Sequence, residues 1–178
     1  MGPGDVRGDA GGSAGGRPAY ARRGDRPLQQ VRCSGPRPKD CWFYTGALGN
    51  DGYGRFWLNR NGAHRVVRPN RYALALAQQL MLGEGDIAMH AVCDLPLCVR
   101  AEPVGGQGHI QLGTQADNLA QMGRAGRGGG RGHPRRWYGP NRAARAARSR
   151  ALRHAVRHGW DPVAVQEALA ATEQAVLF

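Results

Sequence analysis

Four residues separate Cys93 from Cys98, with His90 just before them and His109 after them, and this cluster limits the chain more than any other feature. The spacing lets two thiolates reach one metal ion. His109 can supply a third ligand from a following strand, and Cys41, just ahead of an aromatic strand, a fourth. A closed Cys3His zinc site of this kind is structural, and its binding energy is folding energy. The chain needs such a staple. Its 178 residues include 28 glycines and 11 prolines, and only 7% are aromatic, so any apolar core is small. Cysteines in a reducing compartment are more readily metal ligands than disulfides. Cys33 is the spare thiol if His109 does not reach the metal.

The formal net charge is +12. Such an excess favours a polyanionic partner, with nucleic acid the default. Lys39 is the only lysine. Arginine suits phosphate and guanine, but genomic base composition produces the same bias, so the charge alone carries the inference. No apolar run is long enough to span a bilayer, and the N-terminus lacks the apolar stretch of a signal peptide. The expectation is a soluble, intracellular protein without a membrane partner. It would be cytoplasmic in a bacterium or phage-infected host, or nuclear in a eukaryote.

Residues 1–32 read as a flexible basic arm rich in Gly, Pro and Arg. Strands are expected over 41–45, 54–58 and 63–67, the last two joined by the hairpin signal Asn61-Gly62. Together they would form a three-stranded antiparallel sheet. Pro69–Leu82 reads as a helix stopped by Gly83. Met89–Val92 and His109–Leu112 read as short strands around a Pro/Gly-rich loop, and Thr114 to Asp117 as a near capping box opening a helix that carries Asn118. These elements make a domain over 33–124. Residues 125–140 read as a Gly/Arg linker. Residues 141–178 read as a helical hairpin, stopped by Gly159 and restarted by Asp161-Pro162. Its first helix has Arg142, Arg145, Arg153 and Arg157 along one face and Ala147, Ala151, Leu152 and Ala155 along another. No acidic residue lies between Asp117 and Asp161, where eleven arginines do. That favours phosphate contact over a merely solvated face.

Strand, loop, strand and helix in this order place His90 and Asn118 where their side chains can converge. A neutral imidazole can take a proton from water, and an amide oxygen is a hard ligand suited to Mg2+. Asp117 is the alternative ligand beside Asn118.

Two runs resemble a known family. The run Cys41-Trp42, Thr45-Gly46-Ala47, Asp51-Gly52-Tyr53-Gly54-Arg55-Phe56 and Ala63-His64-Arg65 is similar to the front of phage-type HNH endonucleases. The run His90, Cys93-Asp94, Pro96-Leu97-Cys98-Val99, His109 and Leu112 to Asn118 resembles their His-Me (ββα-metal) finger, and is also similar to the His-Cys box homing endonucleases. The resemblance covers about residues 41–124.

It implies an α+β fold: a small antiparallel sheet and a zinc-stapled finger, with the C-terminal helices as an extension. It implies a DNA endonuclease with catalytic Mg2+ and structural Zn2+. His90 would be the general base, Asn118 the magnesium ligand and Arg65 the arginine beside the scissile phosphate, with Cys41, Cys93, Cys98 and His109 on zinc. The aromatic sheet would lie in the major groove. Double-stranded DNA would then meet Arg55, Trp57, Arg60 and Arg65 on the sheet and Arg142, Arg145 and Arg153 on the helix. A homodimer is expected, with Leu177-Phe178 as the contact.

The chain departs from the family in having two residues, Ala91 and Val92, between His90 and Cys93, in Leu95, and in the long Cys98–His109 loop. An extra residue turns a strand side chain to the other face unless a bulge absorbs it. The alternatives are therefore a zinc-stabilised DNA-binding protein without catalysis, and an RNA-binding or packaging factor.

Overall fold

A computed structural model describes residues 26–35, 37–60, 62–124 and 142–174. Residues 1–25 of the expected arm, the whole Gly/Arg linker, and Leu177-Phe178 lie outside the described residues. The architecture is mixed α and β, with small antiparallel sheets. Helix α1 (Arg26–Gln29) leads into β1 (Val31–Cys33), which pairs with β2 (Trp42–Tyr44). Strands β3 (Phe56–Arg60) and β4 (Ala63–Val67) form a ribbon, followed by α2 (Pro69–Ala77). Strands β5 (Ile87–His90) and β6 (Ile110–Gly113) pair and run into α3 (Gln115–Arg124). Helices α4 (Arg142–Ala155) and α5 (Pro162–Gln174) close the described chain. No described helix is long and apolar enough to cross a membrane.

The expected three-stranded sheet does not form, because both edges of β2 are already used. Thr45 donates to the Gln30 carbonyl on the β1 side, and Ser34 donates to that of Cys41. On the other side Tyr44 donates to Leu97 (3.1 Å) and Val99 to Trp42 (2.8 Å). Backbone groups so satisfied cannot also take β3. Residues 45–55 instead fold on themselves, with Gly49 donating to Tyr53 and Arg55 to Ala47, both at 2.8 Å. Residues 26–32, expected in the arm, belong to the fold: Leu28 and Val31 are buried in the core.

The β3–β4 hairpin forms as expected, with Arg60 opposite Ala63 and Gly62 at φ 75°. Helix α2 ends five residues early. Gln79 adopts φ 53°. Gln79 donates to Leu76 and Leu80 to Ala75, the paired bonds of a Schellman cap. Gly83, the expected stop, instead lies in the turn before β5, where its N–H donates to the Asp86 carboxylate at 2.7 Å.

The C-terminal helices share the core of the rest of the chain. Trp160 stacks on Phe43 with ring centroids 5.3 Å apart. Leu152 and Val156 are fully buried, and Arg153 donates to the Gly46 carbonyl. The inward face of α4 is Ala146, Ser149 and Leu152; Ala147 and Ala151, expected there, are exposed. The hairpin itself is as expected, with Asp161 accepting from the N–H groups of Val163 and Ala164, both at 3.0 Å. Gly52 sets how closely α4 approaches. It has φ 81°, and a Cβ there would lie 3.0 Å from Ala146 Cα and 2.9 Å from Ser149 Oγ.

Two substitutions test these contacts by thermal or denaturant unfolding. Gly52→Ala is expected to lose about 2–3 kcal/mol, from a left-handed alanine and overpacking against α4. Gln79→Gly is expected to gain up to about 1 kcal/mol, since glycine takes the Schellman position without strain.

Candidate metal centre and the adjacent cavity

The segment that pairs with β2 carries Cys98, which sits opposite Phe43 in an antiparallel bridge. Cys41 immediately precedes β2, so the pairing brings Cys41 and Cys98 together. His109 immediately precedes β6 and accepts from the Ala91 N–H through its carbonyl, at 2.9 Å. Cys93 follows a bend at Ala91-Val92. The ligand atoms of Cys41, Cys93, Cys98 and His109 all lie within 4.8 Å of one another. Nδ1 of His109 is 3.5 Å from Cys41 Sγ and 3.6 Å from Cys98 Sγ. Metal–ligand bonds of ~2.3 Å to sulfur and ~2.0 Å to nitrogen give tetrahedral edges of about 3.5–3.8 Å. Those two distances are the Cys–His edges of such a tetrahedron. Cys33, the spare thiol, is not among the four, and burial pushes it up to about 11.

The protonation pattern suits a cation. His109 Nε2 lies 2.7 Å from the Pro38 carbonyl. A carbonyl only accepts, so Nε2 carries a proton, and Nδ1 faces the thiols, where its bond to Cys98 raises the His109 pKa. Cys41 donates to Cys93 and Cys98, and these bonds, with burial, push its thiol far up. Cys93 is lowered by its bond to Cys41, but the bond to Cys98 and burial outweigh this and raise it. Burial acts to raise Cys98, yet the bonds from Cys41, Cys93 and His109 bring it well below the usual thiol range. The cluster thus holds a thiolate solvated by its neighbours' protons, and a bound dication would displace those protons. Three thiolates, one imidazole and a dication carry one net negative charge. The buried guanidinium of Arg100 stands close enough to act on both His109 and Cys33. It is fixed by the carbonyls of Arg37 and Asp40 and by Glu102 at 3.4 Å.

On the other side of Cys98 lies a cavity of about 350 Å3 whose walls include His90, Asn118, Tyr53, Asp94, Arg68 and Arg145. His90 Nε2 is 3.1 Å from the Cys98 carbonyl. By the same logic Nε2 carries the proton and Nδ1 is the acceptor. Burial holds the His90 pKa below its usual value, so the ring is neutral. The register of His90 is fixed opposite Ile110 in the β5–β6 pair, and Ala91 and Val92 form the bend that follows. Gln121 Nε2 donates to the His90 carbonyl at 2.6 Å and ties α3 to β5. Asn118 reaches the cavity from the start of α3. Asp117 is spent on the cap. Its carboxylate accepts from the Thr114 N–H (2.8 Å) and hydroxyl (2.7 Å), which hold it below the ordinary carboxylate range.

Other expected site residues are dispersed. Arg65 is not in this cavity. It lines a larger one of about 680 Å3, between the β3–β4 ribbon and α2, with Leu58, Tyr72 and Leu76. Arg68 is the arginine that enters the His90 cavity, from the extended residue that must precede Pro69 (φ −82°, ψ 126°). Arg55 is paired with Asp51 at 2.7 Å. Trp57 is 72% exposed on the ribbon. The side chain of Arg60 lies outside the described residues. Arg142 is exposed, Arg153 is bound to Gly46, and Arg145 lines the cavity. The sequence gives no direct signal for Arg68, Tyr53 and Asp94, because three separate loops bring them together.

The chain is similar to Protein 2.8 of Escherichia phage T7, at 31% identity over 91 residues, 49% of this chain and 52% of that one. It is similar to Protein 7.7 of the same phage at 33% identity over 84 residues, 47% of this chain and 55% of that one. The chain therefore spans about half the length of the curated relatives it matches. No family model matches it, and no solved structure does.

Zinc is expected to co-purify at about one ion per chain, measured by elemental analysis. Cys98→Ser should lose the ion and the cooperative unfolding transition together. Cys33→Ser should keep both. A metal-free chain with an undiminished transition would remove the centre's structural role.

Proposed function

We propose that this chain is a magnesium-dependent DNA endonuclease of the HNH, His-Me finger type. In this reading β5, β6 and α3 are the ββα finger and the Cys3His cluster is its structural zinc site. The observation that carries it is the meeting of His90 and Asn118 in one cavity directly against that cluster. The phage origin of the similar proteins agrees with a role in an infected bacterial cell.

The chemistry follows from the side chains. His90 is neutral, with Nε2 engaged on a carbonyl, so Nδ1 is free to take a proton from an attacking water. The Cys98 carbonyl then steadies the imidazolium that forms. Asn118 and Asp94 are oxygen donors of the kind magnesium prefers. Bound there, magnesium supplies charge stabilisation at the phosphate and the leaving oxygen. Arg68 and Arg145 add positive charge to the same walls.

The test is cleavage of plasmid and linear duplex with and without added Mg2+. His90→Ala is expected to lose about 10²–10⁴-fold in rate while duplex affinity changes little. Asn118→Ala should also lose cleavage, with partial recovery at high Mg2+ by mass action. Excess metal should not restore His90→Ala. A parent chain that binds duplex but never cuts it would support the binding-only alternative. A His90→Ala protein that cuts at the parent's rate would mean that another group is the base.

A further inference from the structure

The His90 cavity is not built by the finger alone. Its walls include Arg145, which belongs to α4, and Arg68, which belongs to the junction between β4 and α2. The loop of residues 45–55 sets both. Gly52 lets the α4 backbone approach at Arg145 and Ala146. Tyr53, the next residue, lies under Arg68, whose guanidinium carbon is 4.4 Å from the ring centroid. Asp51 holds the same guanidinium at 2.9 Å. Both arginines stand close enough to the Tyr53 hydroxyl to act against its burial, which still raises it. The third guanidinium in the walls, that of Arg71, is used on the carbonyls of Gly83 and Asp86.

Charges of one sign gathered in a concave, part-buried space repel one another unless an anion joins them. Asp51 neutralises one side of Arg68, and Asp94 is the carboxylate in the walls, against three arginines. The space is small, at the lower end of the range of about 300–1,000 Å3 for ligand clefts. It suits a compact anion beside the imidazole.

We propose that Arg145 and Arg68 form a two-guanidinium clamp on one backbone phosphate of a nucleic acid, so that α4 is a wall of the functional cavity. The inference rests on the nuclease reading for which phosphate is held, the one at which His90 acts. The C-terminal helices then do more than add basic surface. The finger without them lacks half of the clamp.

The experiment uses the full chain and a defined DNA duplex, with two readouts: the salt dependence of affinity and the single-turnover cleavage rate. Arg145→Gln, with an unchanged melting temperature, is expected to reduce the slope of log affinity against log salt by about 0.9, one phosphate contact. It is expected to slow cleavage of bound duplex about tenfold or more. Arg145→Lys keeps the charge and should keep the slope. Arg150→Gln removes an exposed charge from the same helix and should leave the rate of bound duplex unchanged. If Arg145→Gln does not fold, Arg68→Gln carries the same comparison. A parent slope and parent rate in Arg145→Gln, with His90→Ala inactive, would overturn the clamp and leave the nuclease reading standing. A parent chain that cuts nothing, with a flattened slope in Arg145→Gln, would overturn the nuclease reading and leave the clamp.

Discussion

The convergence of three thiols and one imidazole within 4.8 Å is the constraint on which the rest of this structure depends. It joins the start of β2, the segment after β5 and the residue before β6. The long stretch between β5 and β6 contains no regular element, and its backbone is held by the bridge to β2 and by the Ala91–His109 and Arg100–Ile110 bonds. Of the largest fully buried side chains, Tyr44, Phe43, Leu28 and Leu97 come from α1, β2 and the same Cys98 segment. A core this small would gain order from a metal ion that fixed three chain segments at one point.

Cys98 links that centre to the cavity. Its thiol belongs to the cluster, and its carbonyl lies on the His90 ring. His90 and His109 use the same device: each gives Nε2 to a backbone carbonyl and so frees Nδ1. One Nδ1 faces thiols and the other belongs to the cavity ring. The same chemistry thus serves a structural ligand and a candidate base, and the difference is only which side of Cys98 the ring occupies.

The arginine content looks different once the contacts are known. A net charge of +12 suggests a surface for polyanions. Much of that charge is used inside the fold. Arg55 and Arg68 share Asp51, while Arg71, Arg100 and Arg153 donate to backbone carbonyls of loops. Guanidinium groups here do what apolar side chains do in a richer core, because each fork can satisfy several loop carbonyls at once. The charge left for a partner is therefore smaller than the composition implies.

The sequence by itself determined the features that depend on neighbours along the chain. The ribbon turn at Gly62, the Thr114–Asp117 cap, the Asp161 cap and the mixed α and β character follow from local rules, because turns and caps are settled within a few residues. The Cys3His cluster was also legible, since Cys93 and Cys98 are close in sequence and few other residues compete for a place in it. Only the tertiary structure decided what depends on pairing and burial across long separations. It gave the edge of β2 to the Cys98 segment in place of β3. It ended α2 at Ala77 through the left-handed Gln79, which composition does not announce. It sent Arg65 to one cavity and Arg68 to another, and brought Arg145 of α4 beside His90. Those outcomes turn on which backbone groups are already satisfied and which helix can approach a glycine, and neither is written in any short stretch of the chain.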